Sequence, residues 1–156
     1  MWFDPSMKNN QLSEHFSFYE MTATAHGDLA AQNRMWGWES REKLRALAKT
    51  VLEPIRIQFR LPVRINSGAR CPELNTRIGR ASNSQHLLCE AADIVVEGLD
   101  CSVGSRAVFD WVRGESGIPF GQLILEQRSG DKMGRPDAIW IHVSLGEPYR
   151  ARGSNR

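Results

Sequence analysis

The spacing of the apolar residues changes partway along this chain of 156 residues, and that change limits its fold class. From Ser40, a candidate N-cap, apolar side chains recur at helical spacing. They are Leu44, Leu47, Val51 and Ile55. Pro54 removes a backbone hydrogen-bond donor, so this helix is predicted to kink or restart there. From residue 61 onward the apolar residues alternate or run together, as they do in strands.

The other segments complete an α+β pattern. A short N-terminal helix is predicted in LSEHFSFYEM, with Ser13 as its cap and Phe16 and Met21 packed on the core. A second amphipathic helix is predicted in SVGSRAVFDWVRG, where Gly114 ends it. Strands are predicted in LPVRINSG, AADIVVEG, GQLILEQ and AIWIHVSL. Loops are predicted around His26 to Gly37 and in ARCPELNTRIGRASNSQH. Helices that mainly precede crowded strands favour the α+β class with a small antiparallel sheet. No repeat or linker interrupts the chain, so we expect one domain over 1–156, with a core at 12–145 and a polar tail at 146–156.

Composition excludes several classes of protein. The opening MWFDPSMKNNQLSEHF lacks the charged start and apolar run of a secretory signal, and no stretch has the roughly 18 apolar residues of a membrane span. We therefore expect synthesis in the cytoplasm and no membrane insertion. Cys71, Cys89 and Cys101 are odd in number and lack CxxC spacing, so we expect reduced thiols. The net charge is only +2 and the arginines do not cluster with aromatic residues, so no nucleic-acid partner is expected.

Three residues can form a metal site. The stretch SQHLLCEAADI contains His86 and Asp93, and the predicted strand AIWIHVSL contains His142. If the two strands are neighbours, Asp93 and His142 can share a face, with His86 arriving from the loop just upstream. Two imidazoles and one carboxylate form a common catalytic zinc triad, which leaves the fourth position for water. The alternative is structural, because a histidine on an apolar strand is more often a hydrogen-bonded core residue.

The motifs around these residues resemble those of a known family. The motifs SGARCPELN, SQH, EAADI and WIHVS occur in that order along the chain. This order is similar to that in the zinc D-Ala-D-Ala carboxypeptidases, the M15 peptidases, particularly their short single-domain phage and bacterial members. The upstream text is also similar, in LSEHFSFYEMTATA, the asparagine of AQNR, and VLEPIRIQFRLPVRINSG. The resemblance runs from about Leu12 to Leu145, which is nearly the whole chain.

The resemblance implies helices packed on one side of a small antiparallel sheet, with Zn²⁺ in an open groove. The family's ligands correspond to His86, Asp93 and His142. Arg70 corresponds to an arginine that faces the metal and holds the scissile carbonyl as it becomes an oxyanion, where a fixed cation is most useful. Alternatively, Arg70 braces the fold by pairing with Glu73 or Glu90. Ser84 and Gln85 either orient His86 and contact substrate or form ordinary loop hydrogen bonds.

The general base departs from the family pattern. Many members carry Asp or Glu three residues before the last histidine, but this chain has Ile139, which cannot transfer a proton. Glu126, in a segment that matches the family's QLI-x-E pattern, is our candidate for the base. Asp137 is a second acid near His142, but it follows a proline in a predicted turn and is expected to be solvated. The alternative for Glu126 is an ordinary charged strand end.

A second departure lies between the first two ligands. Where the family usually has glycine, in SQH-x-x-G-x-AAD, this chain has Cys89. Glycine would allow a positive φ or a close backbone approach, which cysteine does not easily permit. A thiolate is itself a zinc ligand. Cys89 is therefore a harmless replacement in a relaxed loop, an inhibitory fourth ligand, or a sign of lost catalysis.

Two functions from different classes remain open. The first is a zinc peptidase acting on peptidoglycan stem peptides, as a D-Ala-D-Ala carboxypeptidase or an L-Ala-D-Glu endopeptidase, that reaches the cell wall as a phage endolysin or in a virion. The second is an inactive structural or binding module of a phage particle, in contact with virion proteins, in which zinc braces the chain. Ile139 and Cys89 are the features that favour the second.

Overall fold

The computed structural model describes residues 10–147, which form six α-helices and four strands within that range. The helices are α1 Phe18–Thr22, α2 Ala30–Glu39, α3 Arg41–Leu47, α4 Glu53–Phe59, α5 Pro72–Arg77 and α6 Ser102–Gly114. The strands are β1 Val63–Ser67, β2 Ala91–Val96, β3 Phe120–Arg128 and β4 Ala138–Leu145. None of the described helices is long and apolar enough to cross a membrane. Most of the predicted polar tail, from residue 148 onward, lies outside the described residues.

The four strands form one antiparallel sheet in the order β1-β2-β4-β3. The predicted α+β class with a small antiparallel sheet is therefore confirmed. β2 and β4 are the central strands, although 41 residues separate them in sequence, because α6 and β3 intervene between them. The two strands predicted to carry Asp93 and His142 are neighbours.

Alternation along the strands gives the sheet two different faces. One face packs against the helices and is apolar: its core residues include Val63, Ala92, Ile94, Val96, Ile141, Val143 and Leu145. The helices contribute the opposing layer, which includes Leu44, Leu47, Val51, Ile55, Val108 and Val112. Helices thus cover one side of the sheet, and the polar residues of the central strands lie on the other face.

The N-terminal segment is held differently from the sequence prediction. Phe16 and Met21 are buried, as predicted. The cap of α1, however, is Ser17, which forms a reciprocal capping box with Glu20, and the prediction of Ser13 as the cap is wrong. Ser13 instead donates a hydrogen bond from its hydroxyl to the Glu53 carboxylate at 2.7 Å. This contact fastens the N-terminal segment to α4.

The long helical segment is interrupted where Pro54 predicts it. Residues Ala48–Leu52 form a π-helical turn, and α4 restarts at Glu53 with Pro54 in its first turn. Such turns form where the regular hydrogen-bond ladder is broken, and proline breaks it by lacking an N–H. Ser40 precedes α3 at the cap position, but its side chain forms no capping bond.

The segment predicted as a loop between β1 and β2 contains a helix. α5 spans Pro72–Arg77, with the proline at its N-terminus, where its missing N–H costs nothing. A helix of six residues is too short to show an apolar period. Its place in the fold is beside the end of β1, so it supports the segment that carries Arg70.

Candidate metal centre

The pairing of the two central strands brings two of the predicted ligands together. Asp93 on β2 lies directly opposite His142 on β4. Directly opposed residues of an antiparallel pair point to the same face. His142 Nδ1 lies 2.9 Å from Asp93 Oδ1. The expectation that these side chains share a face is confirmed.

His86 reaches the same carboxylate from the loop before β2. Its Nε2 lies 3.2 Å from Asp93 Oδ1, and its Nδ1 lies 2.8 Å from the Gly68 carbonyl oxygen. A carbonyl only accepts hydrogen bonds, so Nδ1 carries the proton and donates it to Gly68. Nε2 is thereby directed at Asp93, the arrangement that outer partners impose on metal-binding histidines.

His142 is oriented in a similar way. Its Nε2 lies 3.5 Å from Gln85 Oε1, which leaves Nδ1 facing Asp93. One nitrogen from each imidazole and a carboxylate oxygen then converge, and all three are ordinary ligands of Zn²⁺. The ligand atoms of His86, Asp93 and His142 all lie within 4.8 Å of one another. This donor set fits a metal ion.

Asp93 is ionised in this setting. Burial would raise the pKa of Asp93, but its contacts with His142 and His86 outweigh that effect and hold the pKa well below its usual 3.8. A carboxylate must be deprotonated to bind a metal, so Asp93 is in the metal-binding form at neutral pH.

Arg70 lies behind the carboxylate and is almost completely buried. Its Nη2 lies 4.0 Å from Asp93 Oδ2 and donates to the Ser67 hydroxyl at 3.0 Å. Its Nη1 donates to Asn75 Oδ1 at 3.2 Å and reaches the Ser84 hydroxyl at 3.5 Å. Burial lowers the pKa of Arg70, and the Asp93 carboxylate opposes that lowering. The guanidinium remains a cation at neutral pH.

Neither of the carboxylates proposed as structural partners of Arg70 pairs with it. Glu90 pairs instead with Lys43 at 2.9 Å, and no Arg70–Glu73 ion pair forms in the described part of the chain. The interpretation of Arg70 as a brace to Glu73 or Glu90 is therefore wrong. Its guanidinium lines the same cleft as the three clustered residues.

This cleft, which we call the metal-site cleft, has a volume of about 260 Å³. Its walls include residues from the loop before β2 and from the polar face of the sheet: Arg70, Ser84, Gln85, His86, Asp93, Ile124, Glu126, Trp140 and His142. All seven predicted site residues thus lie in one cleft.

The family comparison bears directly on this cleft. The family described as Peptidase M15 matches the chain over residues 14–119, which is more than half of its length. The chain belongs to the Peptidase M15 family. No curated protein and no solved structure matches it. The matched range contains Arg70, His86 and Asp93 but ends before β3, so the assignment of His142 to the M15 site rests on its position opposite Asp93.

Glu126, on the strand next to β4, lies near the candidate metal ligand His142. Glu126 is opposite Trp140 and Ile124 is opposite His142, which makes Glu126 a diagonal neighbour of His142 on the same face. Diagonal Cα atoms of an antiparallel pair are ~7–8 Å apart, within the reach of a long side chain. The half-buried Glu126 faces the metal-site cleft, whereas Asp137 is exposed and accepts a hydrogen bond from the Gly130 amide at 2.6 Å.

Ile139 occupies the position where the resemblance to M15 peptidases leads one to expect an acid. Ile139 is three residues before His142 in the regular strand β4, where it pairs with Gln127. Ile139 does not line the metal-site cleft, and its side chain cannot transfer a proton.

Cys89 does not belong to the metal centre. Its side chain is fully buried in the apolar core, and it is absent from the cluster of candidate ligands. Burial raises the pKa of Cys89 to about 11, although a side-chain hydrogen bond with Ser40 opposes the rise, so the thiol is protonated at neutral pH. The interpretation of Cys89 as an inhibitory fourth ligand is wrong. Its backbone nevertheless has φ = +57°, the left-handed conformation that the family's glycine allows.

Asn33 and Gly68 support the site, although the sequence did not predict these roles. Asn33, fully buried on α2, donates from Nδ2 to the Thr22 and Ala69 carbonyls and accepts from the Cys71 amide. It therefore fixes the backbone on both sides of Arg70. Gly68 holds His86 through its carbonyl, and a Cβ at Gly68 would collide with the Met21 carbonyl. The asparagine of AQNR was visible in the sequence, but its three partners are distant in sequence.

Proposed function

We propose that this M15 chain is a zinc metallopeptidase that hydrolyses peptidoglycan stem peptides, as a D-Ala-D-Ala carboxypeptidase or an L-Ala-D-Glu endopeptidase. The observation that carries the proposal is the convergence of His86, Asp93 and His142 in an open cleft that Arg70 and Glu126 also line. A buried structural pair would have no need for an open cleft, a cation and a second acid beside it. The family supports peptide hydrolysis, and the polar cleft suits a peptide backbone.

The three clustered residues would hold the zinc ion. Bound zinc supplies a Lewis acid and lowers the pKa of its water to about 7, which allows attack on a peptide carbonyl at neutral pH. Gly68 and Gln85 keep the imidazole lone pairs directed at the site through the ring nitrogens that face away from it. His86 and Asp93 are joined through one backbone segment, and His142 completes the set from β4.

Arg70 stabilises the oxyanion that forms on the scissile carbonyl. Its guanidinium is fixed before substrate binds by contacts with Ser67, Asn75 and Ser84. The side chain therefore need not reorganise as charge develops on the oxyanion. A preorganised cation is most effective where charge appears only in the transition state. Ser84 and Gln85, at the same end of the cleft, contact the substrate backbone.

Glu126 acts as the general base and then as the general acid. Its carboxylate removes a proton from the attacking water and delivers it to the leaving amine nitrogen as the peptide bond breaks. Its position diagonal to His142, on the face that lines the metal-site cleft, supports this role.

The route to the substrate follows from the resemblance to phage members of the family. We propose that the protein acts on the cell wall after release from the cell as an endolysin, or from within a virion. Its ligand in either case is the peptide of peptidoglycan.

The experiment measures zinc content together with release of D-Ala and of new amino groups from purified peptidoglycan. We expect turnover by the zinc-loaded protein, loss of both zinc and turnover in His142→Ala, and retained zinc with a loss of ~10²-fold or more in Glu126→Gln. Asp137→Asn is the matched acidic control, because its side-chain oxygen still accepts the Gly130 hydrogen bond.

Each outcome has a separate meaning. No release by a zinc-loaded wild type would reject the peptidase and favour the inactive structural module, in which zinc is a brace. Normal turnover by Glu126→Gln would reject only the assignment of the base. Loss of turnover in Asp137→Asn would transfer that role to Asp137.

A further inference from the structure

Arg80 is a second arginine in the wall of the metal-site cleft. Within residues 10–147, Arg70 and Arg80 are the only arginines or lysines that line this cleft. Arg70 is almost completely buried, and both of its terminal nitrogens already donate to neighbouring side chains. The side chain of Arg80 is exposed and forms no hydrogen bond or ion pair within the same range. Its guanidinium donors are therefore available to a ligand in the cleft.

A single buried amide holds the backbone of Arg80 beside Arg70. Asn75 accepts a hydrogen bond from Arg70 Nη1 at 3.2 Å through its Oδ1. Its Nδ2 donates to the carbonyl oxygens of Arg80 and Ala81, at 3.4 and 3.0 Å. The Arg80 amide in turn donates to the Asn75 carbonyl oxygen at 3.1 Å. The base of the Arg80 side chain is thus fixed relative to the guanidinium that we assign to the oxyanion.

The charges around Arg80 favour an anion as its ligand. Burial is the largest cause of the lowered pKa of Arg70, and the positive charge of Arg80 adds to it, so the two guanidinium groups repel each other. Of the two acids in the cleft, Asp93 already lies against two histidines, and Glu126 forms no ion pair with Arg80 in the described part of the chain. With the proposed zinc ion bound, the cations of the cleft outnumber the charges of these two acids. An anion beside Arg80 would relieve the repulsion.

Both peptide bonds of the proposed function are followed by the same anionic group. In D-Ala-D-Ala, the residue after the scissile bond ends in a free α-carboxylate. In the L-Ala-D-Glu segment of peptidoglycan, the chain continues through the γ-carboxyl of D-Glu, so the α-carboxylate of that residue is also free. In either substrate the carboxylate carbon lies two bonds from the leaving nitrogen, ~2.5 Å away. A cation that recognises it must therefore lie close to the group that holds the scissile carbonyl.

We propose that Arg80 binds the free α-carboxylate of the residue whose amine leaves, and thereby selects substrates in which that carboxylate is neither amidated nor joined to a further residue. The planar guanidinium can pair with both oxygens of a carboxylate, whereas an amide offers only one oxygen and no charge. This inference rests on the proposed function, since it assigns a substrate group to the same cleft.

The test uses two pairs of synthetic peptides whose members differ only at this group. One pair ends in D-Ala-D-Ala, as the free acid or as the amide. The other contains L-Ala followed by γ-linked D-Glu, with the α-carboxylate free or amidated. We expect the zinc-loaded protein to cleave the acid of at least one pair with kcat/KM ~10-fold above that of its amide, the ratio that 1.4 kcal/mol of binding produces. The pair that shows this ratio identifies the source of the carboxylate.

Two arginine variants test whether Arg80 is the cause. Arg80→Gln should lower kcat/KM for the acid to the value for the amide, by raising KM with little change in kcat, and should leave cleavage of the amide unchanged. Arg77→Gln removes an equal charge from α5, outside the cleft, and should keep the preference. A preference that survives Arg80→Gln would show that another group binds the carboxylate. An equal loss in Arg77→Gln would reduce the effect to general charge, and either result overturns the assignment.

Calorimetric binding of the same peptides to the zinc-loaded Glu126→Gln protein separates this inference from the proposed function. Tighter binding of an acid than of its amide, lost when Arg80→Gln is added, supports the role of Arg80 even if the wild type cleaves nothing. Equal binding of acid and amide in both pairs overturns that role even if the wild type cleaves them.

Discussion

The backbone conformation of Cys89 favours glycine, whereas its buried position in the core favours a side chain. Its φ of +57° is a conformation that costs a non-glycine residue ~1–2 kcal/mol. Its side chain is fully buried among apolar residues. The cysteine therefore accepts backbone strain while its sulfur fills a core position beside Ser40. The loop between the first two candidate ligands is strained rather than relaxed.

This conflict predicts that glycine at position 89 gives a more stable protein than alanine, the reverse of the order usual elsewhere in a chain. Cys89→Ala removes the sulfur and keeps the strained backbone, whereas Cys89→Gly removes the sulfur and relieves the strain. We expect Cys89→Gly to be more stable than Cys89→Ala by ~1 kcal/mol in urea denaturation. The exposed helical Ala107→Gly is the control, where glycine should cost ~1 kcal/mol. A Cys89→Ala protein more stable than Cys89→Gly would show that position 89 carries no backbone strain.

Arg70 is a second residue whose role depends on geometry rather than charge alone. Ser67 and Asn75 accept from two different nitrogens of its guanidinium, and a lysine ammonium cannot span both. We expect Arg70→Lys to bind zinc normally and to lower kcat by ~10²–10³-fold, as loss of an oxyanion donor does. Zinc content and kcat measured on one preparation check this. An active Arg70→Lys would mean that only the charge is used.

At the scale of elements, the N-terminal segment is joined to α4 by a single carboxylate. Glu53 accepts hydrogen bonds from the Ser13 hydroxyl and the His15 amide, both at 2.7 Å, and its other oxygen lies 2.8 Å from His15 Nδ1. Burial would raise the pKa of Glu53, but the hydrogen bonds with His15 and Ser13 prevail and lower it from 4.5. The ionised form is thus the one that stabilises the fold.

The lowered pKa of Glu53 predicts how stability depends on pH. Its contribution is fully present above pH 4.5, the ordinary pKa of the group, and is lost as the pH falls through the lower folded-state pKa. We expect Glu53→Gln to cost ~1–2 kcal/mol at pH 7 in urea denaturation, and the difference from the wild type to shrink as the pH falls below 4.5. Glu42→Gln, at an exposed acid of α3, should change stability by less than ~0.5 kcal/mol. A Glu53→Gln deficit that is constant with pH would exclude the ionised carboxylate as its source.

At the scale of the whole molecule, the elements with an apolar period were predictable and the others were not. Apolar periods locate β1 to β4, the helical segment after Ser40 and α6. They do not locate α2, whose buried residues are Asn33 and Gly37 rather than an apolar stripe, so the prediction of a loop around His26 to Gly37 is wrong. They also do not locate α5, whose six residues contain no full period. The true cap of α1 had a readable signal, because Ser17 is followed by Glu20 at capping-box spacing, whereas Ser13 is not followed by an acid at that spacing.

Some residues of the candidate site were likewise predictable from the sequence, and others were not. The residue types of the metal centre were predictable because two histidines and an aspartate in polar breaks of apolar strands are unusual. The supports from Asn33 and Gly68 were not, because each joins segments far apart in sequence.

The proposed metal would join parts of the molecule that are far apart in the chain. His86 belongs to the loop after α5, Asp93 to β2, and His142 to β4, so one ion would cross-link three segments. An ion that binds only the folded state adds RT ln(1 + [L]/Kd), which is ~4.1 kcal/mol at a free concentration 1,000 times Kd. For a chain of this size, such a gain corresponds to a rise in Tm of ~8–16 °C.

We therefore expect a chelator to lower the Tm of the zinc-loaded wild type by ~8–16 °C, and excess Zn²⁺ to restore it. His142→Ala should have a low Tm that responds to neither reagent, because two ligands hold the ion much more weakly than three. Glu126→Gln should respond like the wild type, since Glu126 is not among the clustered ligands. Scanning calorimetry of the three proteins with and without chelator measures these shifts. A His142→Ala protein that responds to Zn²⁺ as the wild type does would exclude His142 as a ligand, and an unresponsive wild type would exclude the metal centre itself.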